Sequence, residues 1–317
     1  MLRKITTRLS ASLLSIAILV TLTFVLIHVT PGGPAYSILG MKATPQAVAA
    51  VNKQLGLDVP LWRQYLVWWG HLLQGDLGFS YLSHRPVGEL LVSYELNTLT
   101  LYVIATLLST GLAILLGLAH GVAYLRWPGK LIGGLELALY AAPSFFVATL
   151  LVLLFAITWR VLPAGGIVDL RLAHPGLGSY AAHLVLPVAT VTLVTVAGLS
   201  RYFAQSVHEE LGRDYVRTAA AKGIPMGRIL FGHVLRNALR PLVTILGLSF
   251  PYIFAGGVVV ETVFSYPGLG WLLWRSALSQ DYPVLIAIVL LIGVLTVIGN
   301  LLADLVNGLL DPRASYE

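Results

Sequence analysis

Six long apolar runs leave this chain few ways to fold. They extend from Leu9 to Val29, Leu99 to Leu125, Leu135 to Thr158, Tyr180 to Ala204, Pro241 to Val260 and Pro283 to Leu310. A helix needs roughly 20 mostly apolar residues to cross a hydrocarbon core about 30 Å thick, and only helices and closed barrels satisfy their backbone hydrogen bonds there. The runs are continuous rather than alternating, which reads as helix. With 57% apolar and only 11% charged residues, the chain lacks the polar surface that a water-facing domain requires. The expectation is an all-α protein of six transmembrane helices in a lipid bilayer. The fourth run carries Pro187 among Thr190, Thr192 and Thr195, where hydroxyls or neighbouring helices can satisfy the carbonyls a proline frees.

The first run follows Arg3, Lys4 and Arg8, a flank shared by signal peptides and membrane anchors. At 21 residues it exceeds the apolar core of a secretory signal, roughly 7 to 15 residues, and no small-x-small cleavage site precedes Pro31, so a retained helix is expected. Orientation follows from Lys and Arg in alternate connections. With the N-terminus inside, the inner side holds Arg3, Lys4, Arg8, Arg126, Lys130, Arg201, Arg213, Arg217, Lys222, Arg228, Arg236, Arg240 and Arg313. The outer side holds Lys42, Lys53, Arg63, Arg85, Arg160, Arg171 and Arg275. The inner excess predicts that both termini are cytoplasmic. It also accounts for the formal net charge of +6 without nucleic acid, which no soluble domain is present to bind. No repeat or linker marks a second domain, so residues 1–317 are expected to form a single membrane domain.

Two connections are long. The outer one, residues 30–98, sets its four basic residues against Asp58, Asp76, Glu89 and Glu95, and its aromatic cluster Trp62, Tyr65, Trp68 and Trp69 suits an interfacial belt better than a binding site. The inner one, residues 205–240, is more informative. Asp214 to Gly223 reads as a short helix, with Asp214 as N-cap, Ala219, Ala220 and Ala221 as helix formers, Lys222 in the last turn, Gly223 as the stop and Pro225 just beyond. Two turns are marginal in water unless something packs on them, which implies a partner. Met226 to Leu239 follows with Ile229, Leu230, Val234, Leu235 and Leu239 among Arg228, His233 and Arg236, the pattern of a helix lying along the headgroups. On local physics alone, a basic surface loop explains the same segment.

Catalytic chemistry is missing. A nucleotide-binding loop needs Gly, four residues, then Gly-Lys and Ser or Thr; Gly129-Lys130 is followed by Leu131 and lacks the first Gly. His208-Glu209-Glu210 starts like a zinc-protease helix, but Gly212 stands where the second His belongs. The eight His residues show no paired ligand spacing, and Cys is absent, which removes disulfides, thiolate ligands and thiol catalysis. No catalytic or metal-binding residue is assigned.

Polar groups inside the runs are few. Asn300, Asp304 and Asn307 share one helix face, where interhelical hydrogen bonding is the simpler reading and a pathway or gate contact the functional one. Glu261, at the outer end of the fifth run, reads either as a solvated helix end or as a contact to substrate or binding protein. A channel or secondary transporter working without ATPases usually places more ionisable or broken-helix sites in mid-span.

The segment DYVRTAAAKGIPMGRILFGHVLRNALRP, from Asp214 to Pro241, resembles the cytoplasmic motif of ABC importer permeases in the variant of dipeptide, oligopeptide and nickel systems. The general motif is Glu-Ala-Ala, three residues, Gly, nine residues, then Ile-x-Leu-Pro. Anchored on Gly223, it opens on Arg217, Thr218 and Ala219 and closes on His233, Val234, Leu235 and Arg236, with the proline deferred to Pro241. The peptide-permease branch is similar in these departures. HVTPGGPA after the first run, with Gly33 where the family usually has Asp, resembles its Pro-Gly-Asp-Pro element. LGLDVPLWRQYLVWWGHLLQGDLGFS, VVVETVFSYPGLG, QDYPV and NLLADLVNGLLDPR follow in family order.

The resemblance implies a type I ABC importer permease fold in a bacterial or archaeal cytoplasmic membrane, with a coupling helix seated on an ATPase. Asp214, Tyr215, Arg217, Thr218, Ala219, Ala220, Lys222, Gly223, His233 and Arg236 would carry that contact, with Glu261, Asn300 and Asp304 at the pathway or gate. It further implies a homologous second permease, two cytoplasmic ATPases that bind ATP and Mg, an extracytoplasmic substrate-binding protein and a di- or oligopeptide substrate. Nickel, glutathione and oligosaccharide systems share this design.

Overall fold

The computed structural model describes residues 2–172, 174–255 and 257–310. These residues are helical apart from turns and one isolated bridge, Phe79 to Pro86. Helix α1 (Leu2–Val29) is followed by three shorter helices, α2 (Pro34–Leu39), α3 (Pro45–Gln54) and α4 (Leu61–Leu73). Next come α5 (Val87–Val122), α6 (Trp127–Ala141) and α7 (Ser144–Leu151), the last running into a π-helical stretch over 152–158. Helix α8 (Leu177–Leu211) leads to α9 (Asp214–Ala221) and α10 (Met226–Ile229), and a second π-helical stretch over 230–234 joins α10 to α11 (Leu235–Ala255). The described residues end with α12 (Val258–Val263), α13 (Leu269–Leu278) and α14 (Tyr282–Leu310). Five of these stretches are long and apolar enough to cross a membrane, and α6 with α7 makes a sixth if the pair is one span.

That pair is where the described helices differ most from the expected runs. Instead of one helix over 135–158, α6 and α7 meet at 100°. Ala142 is extended (φ −76°, ψ 126°) because the ring of Pro143 disfavours helical geometry in the residue before it. Pro187 does the opposite and sits inside an unbroken α8, where Thr190 Oγ1 donates to Leu186 O at 2.9 Å and Thr192 Oγ1 to Ala105 O at 3.5 Å. The fifth run also differs. Its helix starts upstream, in continuity with Met226, and stops at Ala255, so the amphipathic stretch to Leu239 is the lower part of a long helix and not a separate surface element. Val258–Val263 forms its own short helix beyond an extended Gly257.

The chain divides into two compact units, residues 1–98 with 267–297 and residues 99–266 with 298–317. In the first, Val87, Leu90 and Leu91 pack on Leu269, Leu272, Val284 and Ile288, while Val20 and Phe24 of α1 pack on Ile286. Polar clamps hold it. Asp281 is buried, accepting from Ser80 Oγ at 2.6 Å and from the Tyr81 amide at 3.0 Å. Thr98 Oγ1 accepts from the Leu269 amide at 2.8 Å, satisfying an orphan donor at the start of α13. Tyr65 meets Thr21 at 2.7 Å and stacks edge-on to Phe24, so that part of the aromatic cluster packs inward, while Trp62 stays exposed.

The second unit has two apolar cores. One gathers Leu101, Ala105, Ala148, Leu186 and Phe264; the other gathers Phe203, Val207, Val216, Ile229, Val234 and Leu242. Helices α5 and α8 touch backbone to backbone. A methyl on Gly117 would come within 2.6 Å of Ser200 O, and one on Gly121 within 2.7 Å of Ala204 O. Such close approach is how small residues let membrane helices pack.

Candidate functional site

Helix α9 is short because strong signals bound it at both ends. Helix α8 stops at Gly212, and Arg213 then takes an extended conformation (φ −71°, ψ 152°) as the residue before α9. Arg213, not Asp214, therefore holds the N-cap position, and no side chain caps it. Asp214 lies one position inside, where its charge favours the positive end of the helix. At the far end Gly223 has φ +77°, open to glycine at little cost. Its amide reaches Ala220 O at 2.9 Å and the Ile224 amide reaches Ala219 O at 3.2 Å, which closes the helix in a Schellman motif.

An isolated helix of 8 residues is unstable in water, so packing must hold it. Val216 supplies that packing. It is buried in the core formed by α8, α10 and α11, with Tyr215 and Ala219 beside it on the same face. Burying one valine stabilises by about 1.5 kcal/mol or somewhat more. Tyr215 donates its hydroxyl to Glu210 at 2.7 Å and also bonds the Asn237 side chain, tying α9 to the ends of α8 and α11. Partial burial and the Glu210 carboxylate raise the Tyr215 phenol above its ordinary pKa.

The opposite face of α9 is open. Asp214, Arg217, Thr218, Ala220, Lys222 and Gly223 are exposed, as are His233 and Arg236 further on. Arg217 lies 3.7 Å from Asp214, but both side chains are well solvated, so the pair adds little stability and leaves the guanidinium accessible. Helix α9 is thus anchored on one side through Val216 and carries charged side chains on the other.

The other expected residues fall elsewhere. Glu261, in α12, is fully buried, which removes the solvated-helix-end reading. Its carboxyl acts electrostatically on the hydroxyls of Tyr102 and Tyr266. Asn300 is exposed on α14, and the side chain of Asp304 lies outside the described residues. No cluster of three metal-ligating side chains occurs among the described residues.

One polar constellation escaped the reading of the runs. Glu136, 5% exposed on α6, has Oε2 2.8 Å from His120 Nδ1 of α5, and its Oε1 accepts from Ser200 Oγ of α8. The clue was Glu136 itself, a carboxylate in an apolar run; its partners lie 16 and 64 residues away, beyond any local pattern.

Comparison with known proteins covers the whole chain. Residues 109–316 match the family described as binding-protein-dependent transport system inner membrane component, and residues 1–114 match the N-terminal region of such membrane components. Similar proteins include the oligopeptide transport system permease protein AppB of Bacillus subtilis, 36% identical over 96% of this chain and 98% of its own length. The glutathione transport system permease protein GsiC of Salmonella typhimurium is 36% identical over the full length of both. The dipeptide transport system permease protein DppB of Escherichia coli is 35% identical over 93% of this chain and 94% of its own.

Proposed function

The chain belongs to the inner-membrane components of binding-protein-dependent transport systems, and from that premise we propose that it forms half of the import pathway for di- or oligopeptides. A homologous second permease supplies the other half, two cytoplasmic ATPases bind ATP and Mg, and an extracytoplasmic binding protein delivers the peptide. Both termini lie in the cytoplasm, and residues 1–317 act as one permease domain. The observation that carries this reading is α9, a two-turn helix fixed from within by Val216 and presenting Asp214, Arg217, Thr218 and Lys222 outward. ATP-driven closure of the partner moves α9, and the attached spans switch access from one side to the other. Glutathione is a second reading, favoured by a relative as similar as the oligopeptide permease; being a tripeptide, it asks for much the same pathway.

Affinity purification in mild detergent, followed by reconstitution with binding protein, tests this. The expected result is recovery of a second permease and ATPases, with hydrolysis stimulated by peptides. Arg217→Glu should abolish most uptake while membrane insertion stays normal. Wild-type chain purifying alone, or full uptake by the Arg217 variant, would overturn the assignment.

A further inference from the structure

We infer that Glu136 is a positioning residue for energy coupling: with His120 and Ser200 it locks α5, α6 and α8 into one rigid body whose end carries α9. This rests on the proposed role of α9. An ionisable group within an apolar run is costly to bury, and filling space does not require it, since leucine has similar volume. What Glu136 adds is a bond to two other helices at once, through one oxygen to His120 on α5 and through the other to Ser200 on α8. Each oxygen meets a different helix, so the two oxygens together fix α5 and α8 against each other.

The connection continues towards α9. The His120 ring stacks on Tyr124 (centroids 5.2 Å apart, 14° between planes), and Tyr124 stacks on His208 (4.4 Å, 14°). His208 lies on α8 two turns beyond Ser200, so α8 is held at two levels, by Glu136 of α6 and by Tyr124 just past the end of α5. Two residues further on, Glu210 accepts the Tyr215 hydroxyl of α9. Glycines remove the slack between the three helices. Gly117 and Gly121 bring α5 onto α8, and a methyl at Gly133 of α6 would meet the His120 ring at 3.0 Å. A close-packed, bonded group of helices has discrete arrangements and does not yield gradually, so a displacement of α9 reaches α5 and α6 as a whole-body movement.

The test uses the complete transporter in proteoliposomes, reading subunit recovery, ATP hydrolysis and peptide imported per ATP. Glu136→Gln and His120→Gln should each assemble with ATPases yet lower peptide imported per ATP by about fivefold or more, the scale of a typical coupling between sites. The double variant should be no worse than either single, because the residues act as a unit. A purely structural role would reduce the amount of assembled transporter while peptide per ATP in the assembled fraction stayed at the wild-type value; that result, or losses that multiply in the double variant, overturns the inference. If Glu136→Gln does not assemble, Ser200→Ala, which removes one hydrogen bond from the same carboxylate, should lower the ratio about twofold, and an unchanged ratio there overturns it equally. Failure of the wild-type chain to recruit ATPases would instead refute the permease assignment, whatever the variants do.

Discussion

Two buried carboxylates, one in each compact unit, solve the same problem differently. Asp281 takes one hydrogen bond from a hydroxyl and one from a backbone amide, both within the Ser80–Tyr81 turn. Glu136 takes both of its bonds from side chains, on two separate long helices. A carboxylate held by a turn pins one loop against the chain at Asp281 and serves local order. A carboxylate shared between helices sets their relative orientation, which is the quantity an alternating-access transporter has to change.

The contrast can be broken by experiment. Glu136→Leu should be the most damaging change, because it strands His120 and Ser200, at about 1–3 kcal/mol for each unsatisfied buried group, and it should also cost transport. Unfolding in mixed micelles with peptide uptake measured alongside checks both parts. Asp281→Ala should destabilise by a similar amount for the stranded Tyr81 amide, about 1–3 kcal/mol, yet leave peptide imported per ATP unchanged in whatever assembles. If Asp281→Ala uncouples as Glu136→Gln does, the distinction between the two carboxylates collapses. Thr98→Val should cost about 1 kcal/mol or somewhat more for the Leu269 amide, with faster hydrogen exchange at the start of α13 as the sign.

The smallest effect belongs to an exposed carboxylate. The Gly78 amide, and after it the His71 side chain, hold Asp76 below the ordinary aspartate pKa. Its contribution to loop stability is therefore present above the unfolded pKa near 3.8 and is lost as pH falls through the lower folded value. NMR or hydrogen exchange of the 76–78 turn should show order retained at neutral pH and loosening only in strong acid; loosening near neutrality would contradict it.

The legible parts of this molecule were those set by local chemistry. Gly223, Pro225 and the alanine run bound α9 to within a residue, since a positive φ and a missing amide act on their immediate neighbours. Asp is a favoured cap, which points to Asp214, but the turn at Gly212 places Arg213 there instead. Prolines were the least legible. Pro143 breaks its run and Pro187 does not, and the difference lies in packing: α8 is held along its length by burying its own Leu186 and Val188 in one core and Val196 and Phe203 in the other. Because its run ends at Val260, the sequence leaves Glu261 as either a helix end meeting water or a contact to substrate or binding protein; the break at Gly257 instead turns α12 back into the core with Val260 and Phe264. Glu136 stands in an apolar run and is not among the polar groups the runs single out, because its meaning depends on partners that only the fold brings near.

The corner between α6 and α7 sets a condition on the surrounding membrane. Each arm has 15 residues, about 22 Å of helix, too short to cross an apolar layer about 30 Å thick. A crossing made by both arms puts the corner within that layer, with the last carbonyls of one helix and the first amides of the next. Acyl chains offer these groups no hydrogen bonds, and the corner also turns Tyr140, Phe145 and Phe146 outward. A sealed bilayer around this chain therefore demands a protein or water gasket at Ala142–Pro143, and a patch of lipid alone does not complete the wall.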